Sequence, residues 1–284
     1  MKQENLLEVK QLRTEFFSSK TSSVTAVNEI SFSIGKGEIL GLVGESGCGK
    51  SVTSLSIMGL LTATSGKVTK GEVLFEGKDL LKISEKEMRE IRGGEMSMIF
   101  QEPMSSLNPA MRIDKQMIEG IRLHTDLSKE EARKRAAEIL AQVGIPDPER
   151  VLKNYPHQLS GGMSQRVMIA MAMSCQPKLL IADEPTTALD AATQESILKL
   201  LKKLNDKYGM SILFISHNLR VVKELCTRVF VMKDGEILAE GETEVVFQNP
   251  KTEYTKALIA AIPARVGENP YYEMLKQKAG RQYD

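Results

Sequence analysis

The sequence predicts an α/β fold built on a parallel β-sheet. Strands that contain a short continuous apolar run, which is typical of burial on both faces, are predicted at residues 39–43, 178–183 and 211–216. Between the last two runs, from Ile197 to Tyr208, apolar residues recur at the spacing of one helix face. Strands that alternate with helices indicate an α/β domain with a parallel sheet.

A glycine-rich loop directly follows the first apolar run. Its sequence, GESGCGKS, has the Gly-x-x-x-x-Gly-Lys-Ser spacing of a phosphate-binding loop, whose backbone N–H groups surround an anion. Residues 51–61 predict a helix, so strand, loop and helix follow in the order that this motif requires. That context disfavours the alternative, an ordinary glycine turn. The predicted binding residues of this segment are Gly44, Glu45, Ser46, Gly47, Cys48, Gly49, Lys50, Ser51 and Val52.

Three side chains of this loop have specific expected properties. Lys50 is expected to reach the terminal phosphates, and the Ser51 hydroxyl is expected to bind Mg²⁺. The neighbouring N–H groups and Lys50 are expected to lower the pKa of the Cys48 thiol and to make it reactive.

The remaining chain predicts further elements and one large insertion. Strands are expected at residues 72–75 and 96–100, and a half-buried strand around Ile30–Ile34. Two Ser-x-x-Glu sequences, at Ser84 and Ser128, have the spacing of a capping box and predict helix starts. The region from about residue 102 to residue 176 has a helical pattern, and it separates two halves of the predicted sheet.

Polar side chains follow the predicted strands at their carboxyl ends, where α/β sheets bind ligands. The run LLIADE places Asp183 and Glu184 just beyond a buried strand. We expect Asp183 to hold Mg²⁺ through water, and Glu184 to accept a proton from an attacking water. Gln101 is expected to contact the metal and that water, and His217 is expected to contact the γ-phosphate. Each of these roles has a structural alternative. Asp183 and Glu184 would instead form an acidic turn at the surface. Gln101 would be an ordinary exposed glutamine, and His217 a core histidine.

A second candidate anion site lies at residues 159–163, LSGGM. A serine and two glycines at the start of an apolar helix present N–H groups at the positive end of the helix dipole. The sequence therefore predicts two phosphate-binding segments but only one carboxylate pair.

Composition limits the classes of function. The 284 residues carry a formal charge of +1, so no polyanion-binding surface and no nucleic-acid partner are expected. The three cysteines, Cys48, Cys175 and Cys226, are far apart, which argues against a disulfide framework and a zinc site. The N-terminus has no signal-peptide pattern, and the most apolar stretch, 167–175, is far shorter than the ~20 residues of a membrane span. We therefore expect a cytoplasmic chain that reaches a membrane only through partners.

The motifs described above, in their order along the chain, resemble those of the ATP-binding cassette family, and the resemblance covers nearly the whole chain. GESGCGKS is similar to its Walker A loop, LLIADE to its Walker B strand, and LSGGM to its LSGGQ signature, with Met163 in place of the usual glutamine. Gln101 corresponds to the Q-loop, His217 to the switch histidine, and residues 188–190 to the D-loop. The resemblance implies ATP and Mg²⁺ as ligands. It also implies a P-loop NTPase (RecA-like) parallel core with an N-terminal antiparallel β part and an inserted helical subdomain.

The resemblance also assigns residues and domain limits. In this family two ATPase domains pair head to tail, and each signature closes over ATP on the partner, which implies this role for Ser160, Gly161 and Gly162. Asp190 is implied as a nucleotide-binding residue of the D-loop. An aromatic ring stacks on adenine in the family, and Phe16 matches that position, with Phe17 as the alternative. Residues 1–263 would form the nucleotide-binding domain, with the helical subdomain at about 102–176, and residues 264–284 a short tail.

A narrower resemblance is to ATPase subunits of dipeptide, oligopeptide and nickel importers, through residues 101–109 (QEPMSSLNP) and 254–258 (YTKAL). It implies import of di- or oligopeptides, with nickel or metal chelates as the alternative. The implied partners are a second, different ATPase subunit, two membrane permeases and, indirectly, a solute-binding protein. The chain would then lie on the cytoplasmic face of the membrane as a peripheral subunit. Some of those subunits carry a cysteine cluster that is missing from this sequence, so no iron–sulfur site is implied.

Two other functions compete with transport. A cassette that acts on nucleic acid or ribosomes would need a coiled-coil insertion, a second cassette or a basic face, and the sequence has none of these. A regulatory module that binds ATP without hydrolysing it is disfavoured because Lys50, Asp183, Glu184 and His217 are all present.

Overall fold

The computed structural model describes residues 4–19, 22–61, 64–102, 106–187 and 189–262. Its first sheet contains four strands, which are β1 (Asn5–Phe17), β2 (Ser23–Gly35), β4 (Gly66–Phe75) and β5 (Lys78–Asp79). They pair antiparallel in the order β2-β1-β4-β5. This sheet is the N-terminal antiparallel part that the family resemblance implied.

The second sheet contains six strands, which are β3 (Ile39–Val43), β6 (Met96–Ile99), β7 (Leu179–Asp183), β8 (Ser211–Ser216), β9 (Arg228–Lys233) and β10 (Glu236–Glu242). Their order is β10-β9-β3-β8-β7-β6, with parallel pairing everywhere except between β10 and β9. The predicted parallel sheet is therefore confirmed, and its carboxyl ends meet at one edge.

Ten α-helices lie within the described ranges. They are α1 (Lys50–Ile57), α2 (Glu85–Ile91), α3 (Ile113–His124), α4 (Lys129–Gln142), α5 (Pro148–Lys153), α6 (Gly161–Ala172), α7 (Ala191–Tyr208), α8 (Leu219–Leu225), α9 (Thr243–Gln248) and α10 (Glu253–Ala260). In this part of the chain no helix is both long enough and apolar enough to cross a bilayer.

The parallel sheet is buried on both faces. Along β3, Ile39 and Val43 pack into one hydrophobic core together with the helices, whereas Leu40 and Leu42 pack into a second core together with the antiparallel sheet. This separation follows from the alternation of side chains along a strand. It explains why the strand sequence is continuously apolar.

The strands predicted at 39–43, 96–100, 178–183 and 211–216 agree with the structure to within a residue. The strands predicted at 30–34 and 72–75 are only the later parts of β2 and β4, which begin several residues earlier. The helix expected at 51–61 was wrong at its end. Helix α1 ends at Ile57, because Gly59 takes a left-handed backbone angle, φ +62°. The Leu60 N–H then donates to the Leu55 carbonyl at 2.8 Å, which closes the helix as in a Schellman motif.

The expected helical insertion is present between β6 and β7, where the described residues contain α3 to α6 and no strand. Both capping boxes are confirmed, since Ser84 accepts from the Glu87 N–H and Ser128 from the Glu131 N–H. The domain limits stay a prediction, and the tail at 264–284 lies outside the described residues. Strands β9 and β10 were not predicted from the sequence.

Candidate nucleotide-binding site

A pocket of about 560 Å³ lies where the carboxyl ends of β3, β8, β7 and β6 meet. The segments that follow these four adjacent strands bring together most of the predicted site residues. Those that line the pocket are Gly44, Glu45, Ser46, Gly47, Gly49, Lys50, Ser51, Val52, Gln101, Glu184 and His217. Ala26, Thr187 and Leu258 complete the lining.

The glycine-rich loop has the backbone of an anion site. Gly47 and Gly49 have φ angles of +81° and +107°, which favour glycine. A Cβ at Gly49 would lie 2.4 Å from the Ala26 carbonyl oxygen, whereas a Cβ at Gly47 would meet nothing within 4 Å. Helix α1 starts here with no side-chain cap and no acidic residue in its first turn. Its first N–H groups therefore suit an anionic ligand.

Lys50 places a buried positive charge in this loop. The residue is 4% exposed, and its Nζ donates to the carbonyl oxygens of Gly44 at 2.9 Å and of Glu45 at 2.8 Å. A buried ammonium requires such partners. The two carbonyls hold the charge beside the N-terminus of α1, where it favours binding of an anion.

Ser51 and Asp183 lie together and offer two oxygen ligands for a magnesium ion. The Ser51 hydroxyl donates to Oδ1 of Asp183 at 3.1 Å. Burial, and then the neighbouring charge of Glu184, raises the pKa of Asp183. Within the described residues no three His, Cys, Asp or Glu side chains are grouped to hold a metal. A magnesium ion here would take its other ligands from phosphate and water, as is usual for this ion.

Glu184 is the point on which the site converges. It lies directly after β7 with a left-handed φ of +47° and is 9% exposed. Its Oε2 atom accepts from Gln101 Nε2 at 3.2 Å and from Thr187 Oγ1 at 2.9 Å, and it lies 3.0 Å from His217 Nδ1. The structure therefore fixes one carboxylate oxygen from three directions.

Thr187 was not predicted from the sequence. The turn that follows β7 brings this residue back toward Glu184, and the Thr187 N–H also donates to the Glu184 carbonyl at 3.2 Å. The local sequence, Glu-Pro-Thr-Thr, indicates a turn, but it does not show which hydroxyl faces the carboxylate.

The residues of the LSGGM segment do not line this pocket. Ser160 caps α6 by accepting from the Met163 N–H at 3.4 Å, and the first turn of α6 has no acidic residue. Ser160 and Gly161 are exposed. A second helix N-terminus that suits an anion therefore lies at the surface, away from the Lys50 loop.

Asp190 lies close to the N-terminus of α6, at the start of the neighbouring helix α7. Its Oδ1 caps α7 by accepting from the N–H groups of Ala192 and Thr193, and its Oδ2 accepts from the Thr193 hydroxyl at 2.6 Å. Thr193 also lies against Gly162, because a Cβ there would be 3.0 Å from Thr193 Cγ2. Ala188, the first residue of the predicted D-loop, lies outside the described residues.

The expectation that the Cys48 thiol has a lowered pKa was wrong. Cys48 is 6% exposed and packs in the core behind the loop. Burial raises the pKa of its thiol, and this effect outweighs the opposite influence of Lys50. The side chain does not line the pocket.

Phe16, the predicted adenine contact, lies on β1 outside the residues that line the pocket. Its ring packs over Gly66 of β4, where a Cβ would lie 2.9 Å from Phe16 Cε1. Stacking of Phe16 or Phe17 on adenine stays a prediction.

Comparison with known proteins agrees with the geometry. Residues 27–187, more than half of the chain, match the family described as "ABC transporter". The chain is 51% identical over 263 residues to the "Oligopeptide transport ATP-binding protein AppD" of Bacillus subtilis, which covers 93% of this chain and 80% of that protein. It is 49% identical over 258 residues to the "Dipeptide transport ATP-binding protein DppD" of Escherichia coli, with 91% and 78% covered.

A third relative and a solved structure support the same family. The "Probable peptide ABC transporter ATP-binding protein y4tR" of Sinorhizobium fredii is 49% identical over 92% of this chain and 77% of its own length. The structure titled "Dimeric structure of a post-hydrolysis state of the ATP-binding cassette MJ0796 bound to ADP and Pi" superposes with a TM-score of 0.74 at 32% identity, over 84% of this chain and 98% of that one. The fold class expected from the sequence is thereby confirmed. The chain belongs to the ABC transporter family, as its motifs predicted.

Proposed function

We propose that this chain binds and hydrolyses ATP with Mg²⁺ and thereby drives the import of di- or oligopeptides. The convergence of Gln101, Thr187 and His217 on one oxygen of Glu184, beside the Lys50 loop, carries the proposal of hydrolysis. The peptide substrate rests on the three relatives above, which are named for peptide, oligopeptide and dipeptide transport. Import of nickel is not favoured by those names.

In the proposed reaction the glycine-rich loop and Lys50 bind the phosphates of ATP. Ser51 and Asp183 hold Mg²⁺, with Gln101 as a further contact. When bound, the ion would neutralise charge on the phosphate oxygens. Glu184 accepts a proton from the attacking water, and a carboxylate held in one orientation suits this role.

The contact of His217 with Glu184 bears on the expected contact of His217 with the γ-phosphate. A neutral imidazole donates a proton from only one of its two nitrogens. If Nδ1 donates to Glu184 Oε2, Nε2 is an acceptor and does not suit a phosphate oxygen. Contact with the γ-phosphate then requires the ring to turn or to carry a second proton. We propose that His217 changes partner from Glu184 to the phosphate when ATP binds.

The surface position of Ser160, Gly161 and Gly162 supports a site completed by two chains. These residues offer an anion-binding helix start, yet they do not line the pocket that contains Lys50. We propose that they contact ATP held by a second ATPase subunit, with Asp190 close by. That subunit is a related but different chain, as in the family branch that the sequence resembles.

The proposed membrane partners are two permeases, which receive peptide from a solute-binding protein. The helical region between β6 and β7 is their proposed docking surface. Phe100, which precedes Gln101, is 40% exposed, and Leu123 in α3 is 75% exposed. Large exposed apolar side chains are typical of a surface that contacts another protein. The chain would be a peripheral membrane protein through these contacts.

The proposal is tested by measuring nucleotide binding and phosphate release with the purified chain. Wild type should bind Mg-ATP and release phosphate slowly, because the second subunit and the permeases are missing. Lys50→Ala should lose nucleotide affinity, whereas Lys199→Ala, which removes an exposed lysine paired with Glu195 on α7, should behave as wild type. Binding without phosphate release in the complete transporter would instead indicate a regulatory module. If Lys50→Ala binds nucleotide as well as Lys199→Ala does, the assigned site is contradicted.

A further inference from the structure

The last described helix, α10, reaches the phosphate-binding loop. The hydroxyl of Tyr254 accepts a hydrogen bond from the backbone N–H of Glu45 at 3.1 Å. One helical turn further on, Leu258 lines the pocket that contains Lys50. Residues four apart lie on the same helix face, so α10 presents one face to the loop and to the pocket.

Tyr254 and Lys50 hold the same peptide unit. The carbonyl of Gly44 and the N–H of Glu45 belong to one planar group. Its oxygen accepts from Lys50 Nζ at 2.9 Å, and its N–H donates to Tyr254 at 3.1 Å. The orientation of this peptide therefore determines where the Gly44 carbonyl holds the lysine ammonium.

Tyr254 is itself held in place from several sides. Its neighbour Thr255 is fully buried, and Ile259 is 3% exposed, which fixes α10 against the core. The ammonium of Lys233 lies 5.0 Å from the centre of the Tyr254 ring, within the range of a cation–π contact. Burial raises the pKa of the Tyr254 hydroxyl, so this group accepts the bond as a neutral phenol.

We propose that Tyr254 is a positioning residue of the nucleotide site, which acts through the Gly44–Glu45 peptide on Lys50. The inference rests on the proposed function in that it takes ATP as the ligand of the Lys50 loop. Gly44 has no Cβ to restrict rotation of the peptide that follows it, so the Tyr254 hydrogen bond limits its orientations. A loop ordered before the ligand arrives loses less entropy on binding.

The test compares wild type with Tyr254→Phe, which removes the hydroxyl but keeps the ring and its contact with Lys233. The dissociation constant of a fluorescent ATP analogue, mant-ATP, should rise roughly two- to tenfold, as expected for loss of one hydrogen bond. The maximal rate of phosphate release should change little, because the loss affects ground state and transition state alike. In the nucleotide-free chain, deuterium uptake by residues 44–49 should increase.

Tyr208→Phe is the matched control. It removes a hydroxyl that donates to Gln142 between α7 and α4, remote from the loop. This variant should leave both the mant-ATP dissociation constant and the uptake at residues 44–49 at wild-type values. Equal changes in the two variants would overturn the proposal, because they would indicate general destabilisation. A wild-type dissociation constant in Tyr254→Phe would also overturn it, even if its melting temperature fell.

Failure of this inference and failure of the proposed function give different results. If wild type does not bind mant-ATP, the function is contradicted, whereas deuterium uptake in the nucleotide-free chain still tests the Tyr254 contact. If wild type binds mant-ATP, Lys50→Ala does not, and Tyr254→Phe equals wild type, only the inference about Tyr254 is overturned.

Discussion

The Nδ1 atom of His217 lies 3.0 Å from the Oε2 atom of Glu184, and this contact joins the carboxyl ends of β8 and β7. Gln101, which follows β6, donates to the same oxygen. Three neighbouring strands of one sheet therefore meet at a single carboxylate. This arrangement makes Glu184 the residue whose chemistry is most sharply tested by substitution.

Glu184→Gln should retain ATP binding but lose about 10²–10⁴-fold in hydrolysis, because an amide cannot accept a proton from water. The variant keeps the size and the hydrogen-bonding oxygen of the side chain. Phosphate release and mant-ATP titration on the same sample separate the two effects. Glu149→Gln, at an exposed carboxylate paired with Arg133, should match wild type. Near-normal turnover of Glu184→Gln would rule out a general base at this position.

Thr187→Val should lower the rate of ATP hydrolysis by up to roughly tenfold, because it removes one of the donors that orient Glu184. The dissociation constant of mant-ATP should stay the same, since the Thr187 hydroxyl contacts Glu184 rather than the Lys50 loop. Thr125→Val is a suitable comparison, because it removes a hydroxyl that donates to the Ile121 carbonyl at the end of α3. A full wild-type rate in Thr187→Val would show that Glu184 is oriented without this hydroxyl.

The residues that follow strands were predictable, because the carboxyl ends of parallel strands share one edge. The positions of Asp183, Glu184 and His217 at this edge were predicted in this way, from the apolar runs that precede them. Thr187 and Tyr254 were not, since their contacts depend on a turn and on a pairing across 209 residues of chain. No local pattern reports such contacts.

The missed hairpin of β9 and β10 did have a signal in the sequence. Asp234 and Gly235 stand between two stretches with β-strand patterns, and Asp-Gly is a preferred pair for a two-residue hairpin turn. Both residues have positive φ angles in the structure, +48° and +84°. The helix predicted at 51–61 was too long because the glycine at position 59, which ends α1, was not taken as a stop signal.

The cysteines should react slowly with alkylating agents near neutral pH. Burial raises the pKa of Cys48, Cys175 and Cys226, so each has less reactive thiolate than a free cysteine. Labelling by a maleimide, followed by mass spectrometry, should be fastest at Cys175, which is the most exposed of the three. The rates should rise with pH, because ionisation of each thiol lies above its ordinary range. Rapid labelling of Cys48 near pH 7 would restore the original expectation of an activated thiol.

Ser160→Arg should impair hydrolysis at the partner subunit's ATP site and leave this chain's own ATP binding largely intact. An arginine at the start of α6 would fill the helix N-terminus where the partner's phosphate is proposed to lie. Photolabelling of each subunit with an ATP analogue, combined with phosphate release by the assembled pair, measures the two effects separately. Arg166→Lys, within the same helix, tests whether a general disturbance of α6 has the same result. If this chain loses its own photolabelling in Ser160→Arg, Ser160 does not act on the partner's ATP, and the proposed arrangement is contradicted.

Peptide uptake by the reconstituted transporter tests most directly whether ATP hydrolysis by this chain drives peptide import. The chain would be assembled in lipid vesicles with its sister ATPase and cognate permeases, and supplied with Mg-ATP and a binding protein loaded with a labelled oligopeptide. We predict ATP-dependent accumulation of the peptide, faster phosphate release than the isolated chain shows, and loss of both in Glu184→Gln. Absence of peptide accumulation, or peptide uptake that is unaffected by Glu184→Gln, would contradict peptide import driven by ATP hydrolysis at this site.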